Sequence, residues 1–386
     1  MRNTFKILPV LTGDVSGAAS ALYELGGMTV IHDPSGCNST YNTHDETRWY
    51  NEDSLIYISG LNDMDAITGN DDRFINAILD AADSLSPKFI ALANSPIPFL
   101  NGTDFEGIAK VITGRTGIPC FYVSTNATGD YASGVSKAFE AYVRQMTSGI
   151  DKKTTNKIGK IRAGIIGATP LDFANPETIA SVVSLLESNG FEVLFSLAMG
   201  DLSEGAVSGN LVSTDVNLVI SSTGLASARY LYDRFNIPYV VGFPAAGLSD
   251  ILIEKLNTAY ETSKPCIAYE AVVRSDSNIV IAGETVVASS VAAGIKEAYG
   301  IDMRVVSVSD CSILAPLEND LYCHTEDDFI DAFKDAKAVI ADPLYKHVCP
   351  ENIKFIELPH LAMSGRLYLK KIPDITRFDP VKEGLL

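Results

Sequence analysis

The sequence predicts an α/β protein of three successive units, and two features carry that prediction. Short apolar runs alternate with longer segments of helical spacing along almost the whole chain, the pattern of parallel strands covered by helices. One polar, lysine-rich stretch, DKKTTNKIGK at 151–160, interrupts the alternation and reads as a linker.

In chain order, MTVIH, FIALAN and CFYVST read as strands of the first unit, with helices over Asp72 to Leu85 and Asp104 to Thr116. SPKFIALANS is the exit of a helix into a buried strand. Beyond the linker, AGIIGA, FEVLFSL, VNLVISS and YVVGFP supply strands, with helical segments Pro176 to Asn189 and Ala226 to Phe235 between them. A polar helix and SKPC follow. NIVIAG, RVVSVS, AVIADP and IKFIELP then form a third set from about Asp276. The expected divisions are 1–155, 156–262 and 263–386.

Composition narrows the function classes. A chain of 386 residues with 46% hydrophobic content can bury two or three ordinary cores. No run reaches the ~18 to 20 apolar residues of a membrane span and no early stretch reads as a cleaved signal, so the expectation is a soluble, cytoplasmic protein with no membrane contact. The net charge of −18 opposes a polyanion, which excludes nucleic acid as an expected partner. Six cysteines at 37, 120, 266, 311, 323 and 349 are too scattered for a disulfide framework, leaving metal or redox chemistry as their expected use. Cys120 and Cys266 read as packing residues. Cys311, Cys323 and Cys349, with His324 and His347 nearby in sequence, match no compact metal motif.

Turns such as IIGATP, ISSTG and IAGETV are rich in small residues, but none is a complete dinucleotide or phosphate loop, and tight strand-to-helix turns explain them. No nucleophile elbow or zinc-protease helix occurs. Two segments say more. GGMTVIHDPSGC, Gly26 to Cys37, breaks an apolar run at a Pro-x-Gly turn and ends on a thiol; NSPIPFLNGTDFEGIAK, Asn94 to Lys110, follows a second buried strand.

Together these segments resemble the cluster-binding domain of nitrogenase component 1 proteins, where comparable stretches read roughly IHGPxGC and xCPxxLIGDDIExVAK. LNDMDAITGNDDRFINAIL resembles the family segment that joins them, VNLVISSTGLASARYLYDRFNIPYVVGFPAAG its second-domain strand, helix and strand, and ELPHLAMSGR a stretch of its last domain. The resemblance implies three Rossmann-like domains with mostly parallel sheets around a central cleft. It also implies a homodimer, or a heterodimer with a component 1 homologue, bridged by an iron–sulfur cluster of the [4Fe–4S] kind. An ATP-dependent iron protein would be the electron donor.

Carried over residue by residue, the resemblance gives Cys37 as the matching cluster ligand and leaves two thiols missing. Ser95 stands at a second ligand position, and Asp14, in TGDVSGAAS, stands near a third. Serine and aspartate oxygens ligate iron in principle, although each is also an ordinary turn or helix-cap residue, and Cys37 alone also reads as a small buried hydrophobe. Ser221 occupies the strand end where the catalytic nitrogenase subunit carries its cofactor cysteine, which removes molybdenum-cofactor ligation and dinitrogen reduction from the expectation. His360 lies near the family's cofactor histidine and is the catalytic candidate, able to move a proton near neutral pH. His32 is a cofactor-side candidate that orients the turn before Cys37; His44 and Trp49 read as interface, cleft-rim or packing residues. Two functions follow. One is a nitrogenase-like reductase acting on a substrate or metallocofactor, or a tetrapyrrole, in the cleft; the other is a non-catalytic scaffold that binds such a group.

Overall fold

The computed structural model describes residues 6–34, 46–51, 53–151, 159–269, 277–309, 321–323 and 325–385. Three parallel sheets organise them. The first contains β1 Met28–His32, β2 Leu55–Ile58, β3 Ile90–Asn94 and β4 Cys120–Val123, in the order β2-β1-β3-β4. The second contains β5 Ile161–Ile166, β6 Phe191–Ser196, β7 Val216–Val219, β8 Tyr239–Val241 and β9 Cys266–Ile267, ordered β6-β5-β7-β8-β9. The third contains β10 Ile279–Gly283, β11 Arg304–Ser307, β12 Leu321–Tyr322, β13 Ala338–Ala341 and β14 Lys354–Glu357, ordered β12-β11-β10-β13-β14. Every strand pair is parallel among the described residues.

Burial explains why these segments are strands. β1, β3, β7 and β13 are buried at every position, as expected of central parallel strands covered on both faces. Each large apolar side chain so buried contributes about 1.5–3 kcal/mol relative to exposure. Helices Asp71–Leu85, Phe105–Thr116, Pro176–Ser188 and Leu225–Phe235 lie where helical spacing predicts them. Their ends have local causes. Asn70 and Asp104 accept from the amides of Arg73 and Gly107, and Asn175 with Pro176 opens the third helix.

Three helices that the periodicity left unassigned prove central. Asp14–Leu22 and Thr285–Tyr299 are buried over most of their length and show no continuous polar face, whereas Tyr131–Met146 is amphipathic, with Lys137, Glu140 and Arg144 on its outer side. The first two cross backbone to backbone. A Cβ on Gly17 would overlap the Tyr131 carbonyl, and one on Gly134 would overlap the Asp14 carbonyl, so both crossing positions require glycine.

The N-terminal segment ties the first sheet's helices to the third sheet. Glu326 accepts with one oxygen from the amides of Lys6, Ile7 and Leu8 at 3.1, 2.7 and 2.8 Å, and Leu8 enters the third sheet's core beside Val280 and Val339. Thr12 then bonds the Ala362 carbonyl through both its amide and its hydroxyl. Among the described residues, no helix is long and apolar enough to cross a membrane.

Candidate functional site

The structure joins two of the sequence candidates through a residue the sequence did not single out. Asp172 sits on the short helix Pro170–Phe173 just after β5, fully buried, and its carboxylate accepts from three directions. The Tyr131 hydroxyl donates to Oδ1 at 2.6 Å, the Ser221 hydroxyl to Oδ2 at 2.7 Å, and His360 Nε2 reaches Oδ1 at 3.1 Å. Because a carboxylate only accepts, Nε2 carries the hydrogen in this pair. Tyr131 opens a helix behind the first sheet, Ser221 follows β7 of the second, and His360 follows β14 of the third. One carboxylate therefore links all three layers.

A second buried acid stands beside the first. Glu284, at the end of β10, accepts from the amides of Ser222 at 2.9 Å and Val287 at 3.0 Å, bridging the second and third sheets and capping helix Thr285–Tyr299. Burial, then the charge of Asp172, pushes its carboxyl up to about 7 against the pull of those amides. Asp342 completes the group by accepting from the His360 amide at 2.8 Å. Burial opposes protonation of His360, but the hydrogen bond and charge of Asp172, with Asp342 and Glu284 behind them, outweigh it and hold the imidazole above its ordinary 6.5. Burial and Asp172 likewise raise the Tyr131 phenol well above its usual range, so it stays a donor.

These groups close on one another. Asp172, Glu284, Asp342 and His360, with Tyr345 and Met363, border a cavity of about 30 Å³, room for one or two waters. No Lys or Arg lines it among the described residues, and His360 Nδ1 has no protein partner there.

The remaining candidates lie around the first sheet. Ser95, fully buried between β3 and helix Pro96–Asn101, donates to the His32 carbonyl at 2.7 Å. Asp14, also fully buried, accepts with its two oxygens from the amides of Asn126 at 2.9 Å and Ala127 at 2.8 Å, fixing the loop after β4. His32 pairs Nδ1 with the Ser59 hydroxyl at 2.7 Å and stacks on Phe74 at 4.0 Å. Burial pulls its imidazole down to about 4, against the opposing charges of Asp33 and Asp65. It is neutral at pH 7. Cys37 and His44 lie outside the described residues, as do Cys311 and His324. Trp49 packs against the cluster that contains Val15, Ala19 and Ile31.

A metal site does not assemble from what is described. Ser95 and Asp14 are both committed to backbone partners in closed surroundings, so neither fits an iron ligand in this arrangement, and no group of three or more His, Cys, Asp or Glu among the described residues could hold a metal ion. Burial pushes the Cys120 and Cys323 thiols up to about 12, the reverse of what a thiolate ligand needs. A larger cavity, about 890 Å³, opens beside Arg48, whose guanidinium is filled by Glu24, Glu46, Ser20 and the Ala198 carbonyl.

Asp172, Tyr131 and Glu284 escaped the sequence reading because each looks ordinary locally. The available signal was position: ATPLD and IAGE both place an acid just past a buried strand, where its charge has no water to face.

Comparison with known proteins agrees with this architecture. Residues 15–265 match the family model described as nitrogenase component 1 type oxidoreductase. A nitrogenase iron-molybdenum cofactor biosynthesis protein NifN from Nostoc sp. (strain PCC 7120) is 24% identical over 260 residues, covering 63% of this chain and 57% of the relative. The NifN protein of Bradyrhizobium diazoefficiens is 23% identical over 207 residues, covering 52% and 43%. The chain thus spans about half the length of the curated relatives it matches. Two solved structures, "Nitrogenase Cp1 at pH 6.5" and "Nitrogenase Cp1 at pH 5", share the fold with TM-scores of 0.59 and 0.61 at 13% identity. The alignments cover 93% and 96% of this chain and 85% and 88% of theirs. With three parallel sheets meeting at a buried hub and a family match over most of its length, the chain belongs to the nitrogenase component 1 type oxidoreductase family.

Proposed function

We propose that this chain is a scaffold component of a nitrogenase-type cofactor-assembly system, pairing with a second component 1-type subunit, and that it does not itself carry out a reduction. The closed hub is the observation that carries this reading. A metallocofactor or tetrapyrrole held at the hub for reduction would need a pocket on the order of 300–1,000 Å³, whereas Asp172, Glu284, Asp342 and His360 border only about 30 Å³ there. Ser221 offers a hydroxyl already donated to Asp172 where soft metal ligation would call for a thiolate. The curated relatives, named for cofactor biosynthesis, support the same assignment.

An iron–sulfur cluster between two subunits would supply low-potential electron storage, and in this reading it would depend on Cys37 from each subunit. A reductase reading draws on one observation: Tyr131, Asp172 and His360 form a continuous hydrogen-bonded line able to hold a proton.

The test is anaerobic co-purification with a component 1 homologue and the cognate ATP-dependent iron protein. We expect a stable pair and no ATP-dependent turnover of a bound metallocofactor or tetrapyrrole. Turnover would replace the scaffold by the reductase. Iron and sulfide content fall in Cys37→Ala if that thiol holds a cluster; equal content in wild type and variant removes the cluster from the proposal.

A further inference from the structure

We propose that the Asp172–Glu284 hub is a proton-dependent latch on the cleft: the closed arrangement binds protons that opening releases, so closure is favoured as pH falls and opening as pH rises. The latch regulates the same cleft as the scaffold reading and rests on that reading only for what opening serves.

The geometry comes first. Separating the third sheet from the second breaks the bond between Glu284 and the Ser222 amide and the bond between His360 and Asp172. Separating the first from the second breaks the bond between Tyr131 and Asp172. These bonds join the three layers at the hub. Glu284 is faced by Asp172 from the second sheet's side, by Tyr131 from the first, and by His360 and Asp342 within the third. Tyr345 lines the same cavity.

Three carboxylates thus meet around a space for one or two waters, with one imidazole as the nearby candidate cation and no Lys or Arg among the described lining residues. Such a cluster is tolerated by retaining protons. Opening readmits water and returns Glu284 and His360 toward their ordinary affinities. Glu284 sits near 7 when closed against an ordinary 4.5, and His360 lies above 6.5, so both hold protons more tightly closed than open. The two contributions have the same sign. For Glu284 alone, linkage gives a roughly tenfold increase in the open-to-closed ratio between about pH 6 and about pH 8.

Hydrogen–deuterium exchange of the full chain without cargo or partner tests this, with rates corrected for the chemical effect of pH. In wild type, peptides carrying Asp172, Ser221 to Thr223 and Glu284 to Val287 should open roughly tenfold more at about pH 8 than at about pH 6, while β14 peptides serve as an internal reference. Glu284→Gln, of similar size but without the titrating proton and able to accept from only one of the Ser222 and Val287 amides, should make that change clearly smaller than in wild type. An unchanged ratio in wild type, a change shared equally by β14, or an equal change in Glu284→Gln overturns the latch. Were Glu284→Gln not to fold, the wild-type comparison with β14 still decides. Neither cargo nor subunit partner enters the measurement, so its failure leaves the scaffold assignment standing, and the reverse also holds.

Discussion

The rim of the first sheet and the central hub both bury polar side chains, but they satisfy them with different partners. At the rim, Ser95 and Asp14 bond backbone groups, and His32 bonds the Ser59 hydroxyl. At the hub, side chains from three layers bond one another through Asp172. The two histidines register the contrast. Burial drives His32 down to about 4, whereas His360, buried beside Asp172, is held above its ordinary value. At His32 burial outweighs two nearby acids that do not bond the ring, whereas at His360 a carboxylate bonded directly to the ring outweighs burial. A rim built on backbone partners fixes local shape, while a hub built on charged side chains makes the packing of whole layers depend on one another's protonation.

The largest effect expected from breaking this contrast comes from Asp172→Ala. It strands the Tyr131 and Ser221 hydroxyls and His360 Nε2 in a closed space, and the loss should be about 3–5 kcal/mol, read from chemical denaturation. The same variant should drop the His360 pKa below its wild-type value in an NMR titration. A loss under about 1 kcal/mol would mean that the hub is not what joins the layers.

The rim histidine gives the next effect, with a sign fixed by its direction of shift. His32 protonates near 6.5 when unfolded and near 4 when folded, so the unfolded state binds the extra proton in that window. Stability therefore falls as pH drops from about 6.5 toward 4, by at most about 3 kcal/mol from this group, and is unaffected above it. His32→Asn should lose that part of the slope. Parallel stability curves for wild type and variant would show that His32 is not the titrating group.

The smallest effect sharpens the other side of the comparison. Ser95→Ala removes one hydrogen bond to the His32 carbonyl and should cost about 1 kcal/mol, with the His360 titration unchanged. A shift of His360 in this variant would show that rim and hub are electrostatically one site.

Much of the fold is legible in the sequence because buried parallel strands announce themselves as apolar runs: MTVIH, FIALAN, VNLVISS and AVIADP each contain an observed strand. The strands left unassigned are short or peripheral. β9 and β12 have two residues each, and β2 is half-exposed at the sheet's edge. The buried helices were harder, because Asp14–Leu22 and Thr285–Tyr299 are made of small and apolar residues that show no polar face. Of the site, Ser221 and His360 were legible through the family resemblance, at the positions of its cofactor cysteine and cofactor histidine, but the acid that unites them was not. Asp172 lies 49 positions from one and 188 from the other, and no local spacing encodes that convergence.

The glycine crossing of helices Asp14–Leu22 and Tyr131–Met146 has a mechanical corollary. Asp14 starts the helix that secures the rim, and Tyr131 starts the helix that feeds the hub. With no side chain between their main chains at Gly17 and Gly134, the two helices are held at a separation that only glycine permits. A bulkier residue at either glycine would push the two helices apart and so disturb the Asp14 loop and the Tyr131–Asp172 bond together.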